Sequence, residues 1–109
     1  MASCTYDHFG VPTKEKHAGE FLIEAGGVYA TSPDAHPFRV EFLRFNADSP
    51  MPEPVRTRSH AAFLVDNIEA AIKGYRVVAP PFDATPELRV AFIMDGDALI
   101  EVMQKRNRP

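Results

Sequence analysis

The chain has 109 residues, of which 45% are hydrophobic and 25% charged, with a net charge of −3 and a single cysteine, Cys4. That composition belongs to a folded globular domain rather than a disordered chain, and the length is enough for one core. There is no apolar run near the roughly 20 residues a membrane helix needs, no cysteine pair for an internal disulfide, and no basic excess of the kind nucleic-acid binders carry.

In chain order, Thr5–Val11 reads as a strand that Pro12 ends. Residues 14–20 contain Gly19 and no apolar stripe, so no full helix is expected there. Phe21–Ile23 is a short apolar run broken by Gly26-Gly27. Val28–Thr31 and Phe38–Phe45 read as strands joined by a loop, 32–37, rich in turn-forming residues. Pro50, Pro52 and Pro54 then predict an extended linker over 46–58, neither helix nor central strand. Ser59–Val65 is a strand. Asp66 is expected to cap a helix over 66–73, with Glu69 as capping-box partner, an apolar stripe of Ile68, Ala71 and Ile72, and Gly74 as the stop. Tyr75–Ala79 reads as a strand ended by Pro80, and Arg89–Met94 and Ala98–Gln104 as a hairpin around Asp95-Gly96.

The second half therefore has the order β-α-β-β-β, and the first half is a weaker copy. The division is half-module 5–45, linker 46–58, half-module 59–104 and a basic tail 105–109, all in one domain. Each half opens on a strand with an early histidine, His8 or His60, and closes on a strand with one glutamate among apolar residues, Glu41 or Glu101. Strand alternation sets Glu101 on one face with Leu99 and Met103, and Glu41 with Arg39, Leu43 and Phe45. A carboxylate on such a face is either solvated or, if buried, paired or bound to a metal. A single histidine at a strand start is commonly structural, but two in matching positions with two glutamates make a set. Imidazole nitrogen and carboxylate oxygen together suit a divalent ion such as Zn²⁺, Ni²⁺, Co²⁺, Mn²⁺ or Fe²⁺. His17 and His36 fall in loops and receive no role.

These residues carry a resemblance. The segments 59–71, 89–97 and 99–104 of the second half, with 6–11 and 39–45 of the first, resemble the vicinal oxygen chelate superfamily, the glyoxalase I, bleomycin-resistance and extradiol-dioxygenase group. The resemblance spans residues 6–104, although much of 13–37 departs from the pattern. It implies an α+β fold of two βαβββ-type half-modules in tandem, the first helix reduced or missing, whose mixed, curved sheet forms a cupped cavity. It also implies a metal held by His8, Glu41, His60 and Glu101, and a homodimer, with the site within one chain or across two.

The activity so implied is a metal-dependent, glyoxalase-like lyase, isomerase or epimerase, moving a proton on a small substrate that chelates the ion through vicinal oxygens. The ion polarises the substrate carbonyl, and a carboxylate takes the proton from the adjacent carbon. Glu101 is the preferred base, and Glu41 a second shuttle or a permanent ligand. Leu43, Phe92 and Met103, with Phe45 and Leu64, are the candidate apolar lining. The alternatives are a non-catalytic drug- or metabolite-binding module of the same fold and an Fe-dependent dioxygenase. Arg39 and Arg44 are left without a site role. Met1–Cys4 lack the pattern of a secretory leader, so a cytoplasmic protein is expected, with no nucleic-acid or membrane partner.

Overall fold

A computed structural model describes residues 3–106. Met1, Ala2 and residues 107–109 of the basic tail lie outside the described residues. The β-branched and aromatic runs form β1 (Cys4–Pro12), β2 (Phe21–Ile23), β3 (Val28–Ala30), β4 (Val40–Phe45), β5 (His60–Val65), β6 (Arg76–Asp83), β7 (Leu88–Asp95) and β8 (Ala98–Lys105); two short helices are α1 (Glu53–Thr57) and α2 (Ile68–Ile72). All eight strands join one sheet in the order β2-β3-β4-β1-β5-β8-β7-β6. The sheet is mixed: β1/β4 and β5/β8 are parallel, and the central pair β1/β5 is antiparallel. Read outward from that central pair, the order is the same on both sides, opening strand, closing strand, then the two between. The fold is α+β, and the curled sheet encloses a cavity on its inner face. No helix among the described residues is long and apolar enough to cross a membrane.

Strand alternation divides the core. Val90, Phe92 and Met94 of β7 and Leu99 and Met103 of β8 pack on the inner face with Ala62 and Val55. Ala91, Val102 and Val65 point the other way, where Ile68, Ala71 and Ile72 of α2 cover them. The first half has no helix to do this. Its outer face is closed by the loop before β2: Glu20 takes two hydrogen bonds from Arg44, at 3.0 and 2.7 Å, and the His17 ring stacks on Phe42 with centroids 4.1 Å apart. The Arg44 guanidinium lies over the Tyr29 ring as well.

Four local expectations are corrected. The segment 46–58 is not extended throughout but contains α1, because a proline in a helix's first turn loses no hydrogen bond. Val55, only 1% exposed, anchors that turn in the core. The cap of α2 is Asn67, whose side chain accepts from the Ala70 N–H, and the helix is correspondingly shorter than 66–73. Asp66 instead accepts from the Ser3 N–H, and Glu69 pairs with Arg89. β6 does not stop at Pro80: as an edge strand it needs a ladder on one side only, and register shifts around Ala79 absorb the prolines. Finally, Arg39 lies outside β4, with a positive φ of 57°, so it does not share a face with Glu41.

Val55→Ala removes two buried methyl groups and should lower unfolding free energy by about 2 kcal/mol in urea titration.

Candidate metal centre

The centre is built by strand register. β1 and β5 pair regularly up to Tyr6↔Phe63; the ladder then skips Asp7 and resumes as His8↔Ala62 and Gly10↔His60. Asp7 is thus the extra residue of a β-bulge, and it reverses the alternation beyond it. Tyr6 faces outward beside Phe63, their rings 6.0 Å apart, while His8 two residues later faces the cavity. The parallel neighbours complete the set: Glu41 lies beside Gly10, and Glu101 beside Ala62. Each histidine therefore sits across from a small residue two positions after the other histidine, and each glutamate sits beside that same small residue.

This register brings all four predicted residues together within one chain. His60 Nε2 lies 3.0 Å and His8 Nε2 3.4 Å from the same Glu101 oxygen, and His8 Nε2 is 3.2 Å from Glu41. Donor atoms of His8, His60 and Glu101 all lie within 4.8 Å of one another. Glu41 touches this group through His8. The three are buried, with exposures of 4%, 2% and 9%. His8 Nε2, despite its two carboxylate neighbours, makes no well-directed hydrogen bond to either. A cation among these atoms would satisfy the imidazole and the carboxylates at once, and two nitrogens with carboxylate oxygens are a donor set that borderline divalent ions accept. His8, His60 and Glu101 thus form a buried group that could hold a metal ion.

Without an ion the charges hold each other. Burial by itself would lower the His8 pKa, but the adjoining Glu101 and Glu41 carboxylates raise it to about 11. Burial likewise pushes Glu101 up, and the two imidazoles outweigh it, holding the carboxyl at about 2.

Two contributors escaped the sequence reading. Asp7 Oδ2 accepts from His8 Nδ1 at 2.7 Å. Gly10 leaves room for the His60 ring: a Cβ there would stand 2.6 Å from its Nε2. On the other side the ring meets Phe92 edge-on, with centroids 5.2 Å apart. A signal for Gly10 was present, since a small residue follows each histidine at the same offset (Gly10, Ala62). The role of Asp7 depends on the bulge, which no local pattern marks.

The four residues line a cavity of about 360 Å³. Leu43, Phe45, Leu64, Phe92 and Met103 all line it, joined by Val55 from the supposed linker and by β2 and the loop after β6. The walls are mostly apolar. The acidic groups and imidazoles gather at the β1/β5 centre, and Lys105 lies at the far end of β8.

No protein-family model matches the chain, and no curated protein matches it in sequence. Among solved structures it is similar to the crystal structure of hypothetical protein BH1468 from Bacillus halodurans C-125, with a TM-score of 0.64, 18% identity and 98% of each chain covered. At that identity the likeness concerns the fold, over almost the full length.

Two measurements bear on the centre. The metal-free protein should be most stable between about pH 4.5 and 6.5. Above 6.5 the folded His8 keeps a proton the unfolded chain has lost, so its contribution is present below 6.5 and disappears toward 11. Below 4.5 the unfolded chain takes up a proton that folded Glu101 refuses, so that contribution is lost as pH falls toward 2. Denaturant titrations across pH, in chelator, read both limbs. Gly10→Ala should displace the His60 ring, costing about 1–3 kcal/mol as overpacking and weakening metal retention along with it.

Proposed function

We propose that this chain is a metal-dependent, glyoxalase-like enzyme, a lyase, isomerase or epimerase, that moves a proton on a small substrate bound through vicinal oxygens. The observation that carries the reading is the convergence of His8 and His60 on one Glu101 oxygen, with Glu41 beside His8 Nε2 and that nitrogen making no hydrogen bond, in a mostly apolar cavity. The symmetric strand order supports the finer view of the sheet as two βαβββ-type units in tandem, the first with a strapped loop where the second has α2. It agrees with the resemblance to the vicinal oxygen chelate superfamily, which also implies a homodimer.

When bound, a divalent ion supplies a Lewis acid that polarises the substrate carbonyl and acidifies the adjacent carbon. His8, His60 and Glu101 are the residues to hold it. Glu101 is gripped by both imidazoles, which suits a fixed ligand. Glu41 contacts the set through His8 alone and lies toward the cavity, so this reading moves the base from Glu101 to Glu41. Its Oε1 accepts the proton from the carbon next to the carbonyl and returns it to the neighbouring carbon on the same face. The walls around Leu43, Phe92 and Met103 exclude water from the exchange and hold an apolar substrate body.

The mostly apolar lining also favours a second reading, a binding module that holds its ligand without turnover. One experiment separates the two: metal analysis of untagged protein, followed by deuterium exchange into a panel of 2-oxo and 2-hydroxy compounds. About one divalent ion per chain is expected, lost in His60→Ala and Glu101→Gln. Glu41→Gln should keep the ion and lose exchange by 100-fold or more, within the usual range for a general base of about 10²–10⁴. Metal and ligand binding with no exchange selects the module. Absence of bound metal, with no stabilisation by added Zn²⁺ or Ni²⁺, overturns both the enzyme and its metal. Full activity with redox-inert Zn²⁺ excludes the dioxygenase.

A further inference from the structure

The two histidines are held differently from behind. His8 Nδ1 donates to Asp7 Oδ2 at 2.7 Å, whereas His60 Nδ1 is buried with no hydrogen-bond partner. The His60 ring is fixed by shape, between the bare backbone of Gly10 and the edge contact with Phe92. The His8 ring is fixed by a carboxylate.

That carboxylate belongs to the preceding residue, which on a regular strand would point to the opposite face. The bulge makes the contact possible, because Asp7 is the residue that the β1/β5 ladder skips. Behind Asp7 stands Arg39. Its Nε donates to the Asp7 carbonyl, its Nη2 lies 3.7 Å from Asp7 Oδ1, and its Nη1 lies 2.9 Å from Asp34 Oδ1. Arg39 is the one non-glycine residue with positive φ among the described residues. Backbone in that region is held only where its surroundings enforce it. Here it turns the side chain away from the face that Glu41, Leu43 and Phe45 present to the cavity and toward β1. The Arg39 carbonyl accepts from the Phe9 N–H at 3.0 Å, so backbone and side chain both grip β1 on either side of His8.

We infer that Asp7 is a positioning residue for His8, and that Arg39 keeps Asp7 in place. By accepting a hydrogen bond from Nδ1–H, Asp7 orients the imidazole and reserves Nε2 as the atom facing Glu41, Glu101 and the cavity. With Asp7 gone, nothing selects that tautomer, and a ring carrying its proton on Nε2 has no lone pair on the atom that faces the site. The inference rests on the reading of His8 as a metal ligand. It predicts an asymmetry, since Asp7 should matter to His8 and leave His60 untouched.

The test is Asp7→Asn, which keeps the size and the bulge, studied by zinc titration and by proton–nitrogen NMR of ¹⁵N-histidine-labelled protein. Zinc affinity should fall about 10–100-fold. The hydrogen-bonded Nδ1 proton of His8 should lose its downfield, slowly exchanging signal, while the His60 signals and the unfolding midpoint stay near wild type. Arg39→Gly keeps the left-handed backbone and should give a smaller loss in the same direction. Wild-type zinc affinity in Asp7→Asn, or an unchanged His8 Nδ1 proton, overturns the inference. If Asp7→Asn fails to fold, the wild-type spectrum decides, since absence of a hydrogen-bonded Nδ1 proton on His8 is then the overturning result. If wild-type protein binds no zinc, the metal reading falls by itself, and the His8 Nδ1 signal of the metal-free protein still decides whether Asp7 orients the ring.

Discussion

A carboxylate buried in an apolar enclosure must be compensated, and the compensation of Glu101 organises this molecule. Losing water costs an ionised carboxylate several kcal/mol, repaid only by well-placed opposite charge. Glu101 receives it from two imidazoles delivered by different strands, His8 from β1 and His60 from β5. The sheet must therefore hold those two strands in one register, with β8 beside them. Once it does, the polar cluster has nowhere to go but the middle of the curve, and the remaining inner face can be apolar. The cavity and the charge cluster follow from the same arrangement.

The register itself depends on small features. A one-residue bulge at Asp7 turns His8 inward, and a regular β1 would have turned it to solvent. Gly10 admits the His60 ring across the strand pair, while Ala62 occupies the corresponding place opposite His8. The two sides are related in strand order but not in support. One histidine is oriented by a carboxylate backed by an arginine, the other by packing. The outer face shows the same difference. α2 covers the second half, and an ion pair with a stacked imidazole straps a loop over the first. A loop fastened by Glu20 and Arg44 covers β4 where the second half uses a helix.

The chain's local chemistry made much of this legible. The paired positions of His8 and His60 and of Glu41 and Glu101 singled out a set of four, which the family resemblance joined into one site, and alternation grouped each glutamate with apolar neighbours, because a strand's period of two assigns faces without any knowledge of partners. Proline was the less reliable guide. Pro54 was compatible with the first turn of α1, and Pro80-Pro81 with an edge strand, since in both settings the missing N–H has no partner to lose.

What the sequence determined by itself is the set of residues and, for His60, Glu41 and Glu101, the face each occupies within its own strand; the face of His8 waited on the bulge at Asp7. Tertiary structure decided which strands meet and in what register, and hence that His8, His60 and Glu101 share one point within one chain, with Glu41 joined to them through His8. It also decided that Asp7 stands behind His8 and that Arg39 stands behind Asp7. The physical reason is that alternation is a property of one strand, whereas a bulge, a cross-strand ring contact and a left-handed residue take their meaning from the neighbour they face.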